Sequence, residues 1–326
     1  MDASRLAQLI PAFASKRILV AGDLMLDEFV WGRVSRISPE APVPVVEVVS
    51  ESAYPGGAAN VARNLREFTG HADLLGIAGA DGPGTRLLEL LDERGIGTSG
   101  VQRSPDDRTI VKTRVIARQQ QIVRVDRDTR AAITPEKLER VRTFIEDRIS
   151  ETDAIIFADY GKGFLTQPVV DLIASIARPR GVLMIVDPNP NNPIEWRGMT
   201  AIKPNRVETI AALGAPVDID SQPALVSAAH RLQAKWETGI VLITLGEHGM
   251  WLFEDGHPPF HTEARAKEVF DVSGAGDTAI ALFTLALASG ASAREAAEIA
   301  NAASGVVVGK LGTATLTPAE LIHAME

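Results

Sequence analysis

The chain has 326 residues, 45% apolar and 23% charged, with no cysteine and a formal net charge of −9. That is the profile of a globular protein long enough to bury a large core, and it excludes disulfides and cysteine-bound metals. The acidic balance argues against nucleic acid as a main partner, while a local basic pocket for a small anion stays open.

The opening stretch, "MDASRLAQLIPAFASKR", lacks the long apolar centre of a secretory signal. The longest apolar runs, such as "AIALFTLALA", are too short to span a bilayer. The expectation is a cytoplasmic protein with a single domain over 1–326.

In chain order, the apolar runs "RILVAGDLML", "ADLLGIAG", "DAIIFADYG", "GVLMIVDPN", "TAIKPN" and "GIVLITLGEHG" read as strands ending in Gly, Asp, Asn or Pro. Between them, "AANVARNLREF", "GTRLLELLDERG", "PEKLERVRTFIEDRI", "QPVVDLIASIA" and "LVSAAHRLQAKW" read as amphipathic helices. In the first helix Val61, Leu65 and Phe68 line one apolar face. Alternation of this kind predicts an α/β fold, a mostly parallel sheet with helices on both sides. Residues 28–53 are proline-rich and extended, and 108–126 alternate without a helix signal. In the latter, Val123 and Val125 point one way, Arg124 and Asp126 the other. Both stretches are expected in a separate small sheet.

Ligands of open α/β sheets sit beyond the carboxyl ends of the strands. Here those ends carry Asp23, Asp27, Asp81, Asp159, Asp187, Asn205 and Gly246, a rim rich in acids. In "YPGGAANVARN", Gly56 and Gly57 allow close backbone approach to a ligand, and Asn60 and Asn64 share a helix face. The plain alternative is a helix entry whose asparagines bond to backbone. In "DVSGAGDTAI", Gly274, Ala275 and Gly276 can form a nest of N–H groups at a helix start, with Asp277 placed to accept a proton. The plain alternative is an aspartate stabilising the helix dipole.

"KPNRVE" sets Asn205 and Glu208 three apart, either organising a hydrated Mg²⁺ or capping a helix. "ITLGEHG" is a nucleotide-binding turn or a simple hairpin, with His248 read as a surface residue. The remaining histidines lack metal-ligand spacing. There is no GxxxxGK[ST], and no GxGxxG follows the first strand.

Taken together and in this order, the motifs resemble the ribokinase (PfkB) family of carbohydrate kinases. "GGAANVARN" looks like its N-terminal pattern and "DVSGAGDTAIALF" like its C-terminal one. "KPNRVE" is similar to its Asn-x-x-Glu motif and "TLGEHG" to its Thr-x-Gly-x-x-Gly. The resemblance implies a three-layer αβα sandwich with a small β-sheet lid, and ATP-dependent phosphorylation of a sugar hydroxyl. It further implies Asp277 as base, Gly274, Ala275 and Gly276 as anion hole, and Asp27, Gly56, Gly57 and Asn60 as sugar ligands. Asn205, Thr244, Gly246, Gly249 and Asn301 would bind nucleotide, with Asn205 and Glu208 reaching Mg²⁺ through water. Stretches 28–53 and 108–126 would be the lid and a homodimer interface.

Within the family, "VAGDLMLDEFVWGRVSRISPEAPVPVVEV", "RQQQIVRVD" and "ADYGKGFLT" look like the kinase part of bacterial heptose-7-phosphate kinase/adenylyltransferases. That implies phosphorylation of the 1-hydroxyl of D-glycero-β-D-manno-heptose 7-phosphate, a step toward ADP-heptose and lipopolysaccharide. Arg36, Lys112, Arg114, Arg118 and Arg124 crowd the lid segments. Arg36 and Arg124 are the candidates for the substrate phosphate, because guanidinium matches phosphate bidentately. Two departures stand out. The chain has no His-x-Gly-His, and "VDPNPNNP" replaces the Asp-Pro-Lys-Gly of such kinases. The alternatives are a kinase for another sugar, sugar phosphate or nucleoside, such as fructose or ribose, or a non-catalytic sugar or nucleotide sensor.

Overall fold

Strand β1 (Arg17–Gly22) shows why the chain folds in layers. Its side chains alternate: Ile18 and Val20 enter one hydrophobic core, Leu19 and Ala21 another on the opposite face. A strand apolar on both sides needs helices on both sides. The computed structural model describes residues 1–326 except 2, 119, 131, 215–217, 219–220, 267–268 and 311.

The remaining strands are β2 (Leu24–Ile37), β3 (Pro44–Gly57), β4 (His71–Gly79), β5 (Gly97–Ser104), β6 (Ile110–Ala117) and β7 (Gln120–Arg127). They are followed by β8 (Ala154–Ala158), β9 (Leu183–Asp187), β10 (Ala201–Ile202), β11 (Ile240–Thr244), β12 (Met250–Glu254) and β13 (Phe260–Thr262). Among the described residues, nine strands form one sheet in the order β13-β12-β11-β10-β9-β8-β1-β4-β5. It is parallel from β5 through β11 and closes with an antiparallel hairpin of β12 and β13. Helices Ala58–Arg66, Ala275–Ala288 and Ala293–Val307 cover one face, and Pro135–Arg148, Gln167–Ala177 and Gln222–Trp236 the other. This is the αβα sandwich expected from sequence. Among the described residues no helix is long and apolar enough to cross a membrane.

The two extended stretches form a second, four-stranded sheet, β3-β2-β6-β7. Pairing is antiparallel at β2–β3 and β6–β7 and parallel at β2–β6. Residue 119, inside the second stretch, lies outside the described residues. Strand β5 was not visible in the sequence. It is an edge strand, "GTSGVQRS", half exposed and broken by two glycines, so it carries no apolar run. Strand β10 shrinks to two residues because Pro204 cannot donate to a ladder.

Candidate active site

The helix Ala275–Ala288 is buried from Thr278 to Ala286, which fixes its N-terminus rigidly against the sheet. Thr278 Oγ1 donates to Asn64 Oδ1 at 2.8 Å, clamping it to the helix Ala58–Arg66. Asn64 therefore works in packing, as the plain alternative had it. Gly274 caps the helix at φ +82°, a conformation that suits glycine, and a Cβ there would meet Asn60 Nδ2 at 2.9 Å. The N–H of Ala275 reaches Val272 O and that of Thr278 reaches Gly274 O. Those of Gly276 and Asp277 have no backbone acceptor among the described residues, so the nest presents them outward.

Asp277 stands at this helix start with both oxygens engaged. Asn60 Nδ2 donates to Oδ2 at 2.7 Å, and Tyr160 Oη donates to Oδ1 at 2.6 Å. Asn60 is wholly buried, and Arg63 Nη1 donates to its Oδ1 at 2.9 Å, which fixes the amide's orientation. Burial pushes the Asp277 carboxyl up to about 6, against the two hydrogen bonds and with help from Asp187. A carboxylate poised there can accept a proton near neutral pH.

Tyr160 comes from the loop after β8. Asp23, at the end of β1, accepts from the backbone N–H groups of Tyr160 (3.1 Å), Lys162 (3.0 Å) and Phe164 (2.9 Å). Asp159 accepts from the N–H of Gly161 and from Asn192 Nδ2, and burial pushes it up to about 7. Asn192 belongs to the loop that departs from Asp-Pro-Lys-Gly. Asp187, at the start of that loop, pairs with Lys203, 3% exposed, at 2.8 Å. A methyl group on Gly276 would lie 3.7 Å from Lys203 Nζ, so a buried cation adjoins the open nest. Burial acts to lower the Lys203 pKa, but Asp187 and Glu208 outweigh it and the net shift is upward.

Asn205 and Glu208 form a complete capping box. Asn205 Oδ1 accepts from the Glu208 N–H at 3.0 Å, and Glu208 Oε2 from the Asn205 N–H at 2.7 Å. The helix cap is thus real, whatever else the pair does. Glu208 is pushed up to about 7 by burial and by Asp187. Thr244 bridges Asn205 in the ladder, its N–H donating to Pro204 O at 3.0 Å. Gly246 and Gly249 make the tight turn into β12, with φ of +59° and +74°. Asn301 Nδ2 donates to Thr262 Oγ1 at 2.9 Å and to Glu263 O at 2.6 Å, securing the segment after β13. His248 is exposed at the turn.

Above this rim sits the small sheet. A Cβ at Gly56 would meet Asp27 Oδ2 at 2.1 Å, so the Asp27 carboxylate lies over the space a side chain there would take. Gly57 caps the helix bearing Asn60. Asp27 pairs with Arg114, which also lies over the Phe29 ring. Arg114 and Arg124 are directly opposed across β6 and β7, so both lie on the sheet face that carries Asp27. Arg124 spends its charge on Asp126, at 2.8 and 2.9 Å. Arg36 lies beyond two register irregularities toward the exposed tip of β2 and is not brought to this cluster by a described contact. Lys162 pairs with Asp128 at the foot of β7, tying the Tyr160 loop to the small sheet.

Tyr160 and Lys203 were not singled out from sequence. "ADYGKGFLT" and "KPNRVE" contain them, but no periodicity marks either as facing Asp277.

A model of the pfkB family carbohydrate kinases matches residues 15–320. The bifunctional protein HldE of Desulfatibacillum aliphaticivorans is 43% identical over 312 residues, 96% of this chain and 63% of its own length. That of Geobacter metallireducens is 43% identical over 307 residues, 94% of this chain and 62% of its own. The chain thus spans slightly under two thirds of these relatives. Among solved structures, Arabidopsis thaliana ribokinase complexed with ribose and ATP matches with a TM-score of 0.73 at 19% identity, covering 95% of this chain and 99% of that one. Escherichia coli phosphofructokinase-2 in complex with substrates and products matches at 0.78 and 18%, covering 95% and 98%. These two structures share the fold.

Proposed function

The chain belongs to the pfkB family of carbohydrate kinases, and on that premise we propose that it phosphorylates the 1-hydroxyl of D-glycero-β-D-manno-heptose 7-phosphate from ATP. The product is the 1,7-bisphosphate, a precursor of ADP-heptose for lipopolysaccharide, formed in the cytoplasm. The observation that carries the kinase chemistry is the Asp277 carboxylate, held by Asn60 and Tyr160 beside the outward amides of Gly276 and Asp277. Asp277 takes the proton of the attacking hydroxyl, and the Gly274–Gly276 nest holds charge developing on the phosphoryl group. Lys203 adds fixed positive charge next to that nest.

On this proposal residues 1–326 are one kinase domain, and the small sheet is a lid whose closure keeps water from the phosphoryl group. Asp27, Gly56, Gly57 and Asn60 bind the sugar. Arg124 and Arg36 take its phosphate, supported for Arg124 by its place beside Arg114 on the Asp27 face. Thr244, Gly246, Gly249 and Asn301 border the nucleotide. The buried Glu208, raised toward neutrality by Asp187, fits a nearby divalent cation. Asn205 and Glu208 already bond each other, so they would hold Mg²⁺ through its waters. Bound Mg²⁺ supplies charge neutralisation across the ATP phosphates. On the outer lid face, Val123 and Val125 are 47% and 45% exposed, an apolar surface suited to a second copy of the chain.

The test is ADP release over a panel of sugars and sugar phosphates, with the product identified by phosphorus NMR. Heptose 7-phosphate should give the highest kcat/KM and a new anomeric phosphate. Preference for fructose or ribose, or no turnover at all, contradicts the proposal.

A further inference from the structure

The two donors on Asp277 are chemically different. The Asn60 amide can only donate, and the Arg63 contact to its Oδ1 holds it from flipping. Oδ2 must therefore keep a lone pair toward Asn60 throughout the reaction. The Tyr160 hydroxyl on Oδ1 can donate or accept, and it rotates. Each carboxylate oxygen keeps a second lone pair, so either can take a proton while both donors stay in place. The phenol itself is fixed from behind, because Asp23 holds the N–H groups of residues 160, 162 and 164.

We propose that Tyr160 is a positioning residue for Asp277: its hydroxyl sets the carboxylate's orientation and holds it as the proton acceptor for the substrate hydroxyl. The inference rests on the kinase reading above and deepens it. In the step, the substrate O–H bond breaks and an O–H bond forms on the Asp277 carboxyl. The substrate oxygen bonds to the γ-phosphorus of ATP as the bond to the departing ADP oxygen breaks. Tyr160 stays a donor to the carboxyl and keeps its own proton.

The groups facing the carboxylate are Asn60 from its helix, Tyr160 from the loop after β8, Asp187 from β9 and Lys203 from β10's end. Asp27 acts on Tyr160 from the lid. Of these, only Tyr160 can be stripped of its hydrogen bond by removing a single oxygen. The bond favours the ionised carboxylate, so its loss moves proton uptake to higher pH.

Tyr160→Phe should move the acid limb of the kcat–pH profile up by about one unit. That is roughly a fivefold loss at pH 6 with little loss at pH 8.5, and ATP affinity should be unchanged. A limb at the wild-type position overturns the proposal, as does a loss equal at every pH, which is the mark of a structural role. A second protein guards against misfolding. The chain has 2 tyrosines, so 3-fluorotyrosine in a Tyr54→Phe background reports on Tyr160 alone. The more acidic phenol donates more strongly and should move the limb down, and an unmoved limb there also overturns it. Asp277→Asn assayed in parallel separates the two levels. Near-normal turnover in that variant removes the base and this inference together. An inactive Asp277→Asn beside a Tyr160→Phe of wild-type profile removes the inference alone.

Discussion

The strand-end rim and the lid each contain an ion pair of 2.8 Å, and the two pairs behave differently. In the rim Lys203 is 3% exposed against Asp187; in the lid Arg124 is 49% exposed against Asp126. The carboxylates record the difference. Burial pushes Asp159 and Glu208 up to about 7 and Asp277 to about 6, whereas Arg124 holds Asp126 below the usual carboxylate range. Groups in the rim change charge near neutral pH and suit proton transfer. Groups in the small sheet stay charged in water, where a pair contributes roughly 0–1 kcal/mol. Equal geometry thus has different electrostatic consequences in the two regions.

The largest effect should come from breaking the rim pair. Lys203→Met leaves Asp187 without its cation and should cost about 3 kcal/mol of stability at pH 8 by urea unfolding, and less as pH falls, because burial already raises Asp187 and favours its protonated form. Arg124→Ala should change stability by under about 1 kcal/mol. A loss from Arg124→Ala as large as that from Lys203→Met would erase the contrast. Next, Arg124→Ala should raise KM for the sugar phosphate by about tenfold with kcat nearly unchanged, from the loss of a charged hydrogen bond. Arg36→Ala, farther along β2, should do so less. A fall in kcat at constant KM would place Arg124 in the chemistry instead.

The smallest effect, residue by residue, is on stability against pH. The native state of the rim binds more protons than the unfolded chain between about pH 4 and 7. That stabilisation is complete below about 4 and is lost as pH rises through the folded values of 6 to 7. Unfolding free energy should therefore rise from pH 8 to pH 6 in metal-free buffer, by roughly 1 kcal/mol from each of Asp159 and Glu208 and by less from Asp277. Asp126, depressed instead, loses its contribution only in acid and adds no slope there. Glu208→Gln should flatten the slope, and Arg124→Ala should leave it.

What could be read from sequence follows the same division. The glycines of "YPGG" and "SGAG" are legible because the backbone demands one in each, at the positive φ of Gly57 and of Gly274. The alternation in 120–127 correctly put Arg124 and Asp126 on one face. Tyr160 and Lys203 were missed for a topological reason. They stand at the ends of β8 and β10, and only sheet order brings those ends to a helix that begins at residue 275. Asn205 and Glu208 show that two readings of a motif can coexist, since a full capping box occupies the rim. Nothing in the local pattern of "NVARN" distinguished Asn60, which reaches Asp277, from Asn64, which packs on Thr278.

The central claim is that Asp277 is the base of a phosphoryl transfer, and the most direct measurement is turnover of Asp277→Asn with ATP affinity measured on the same sample. The substitution removes one acceptor charge and keeps the shape. The expected result is a kcat lower by about 10²- to 10⁴-fold with ATP binding retained. Turnover within a few-fold of wild type would contradict the account.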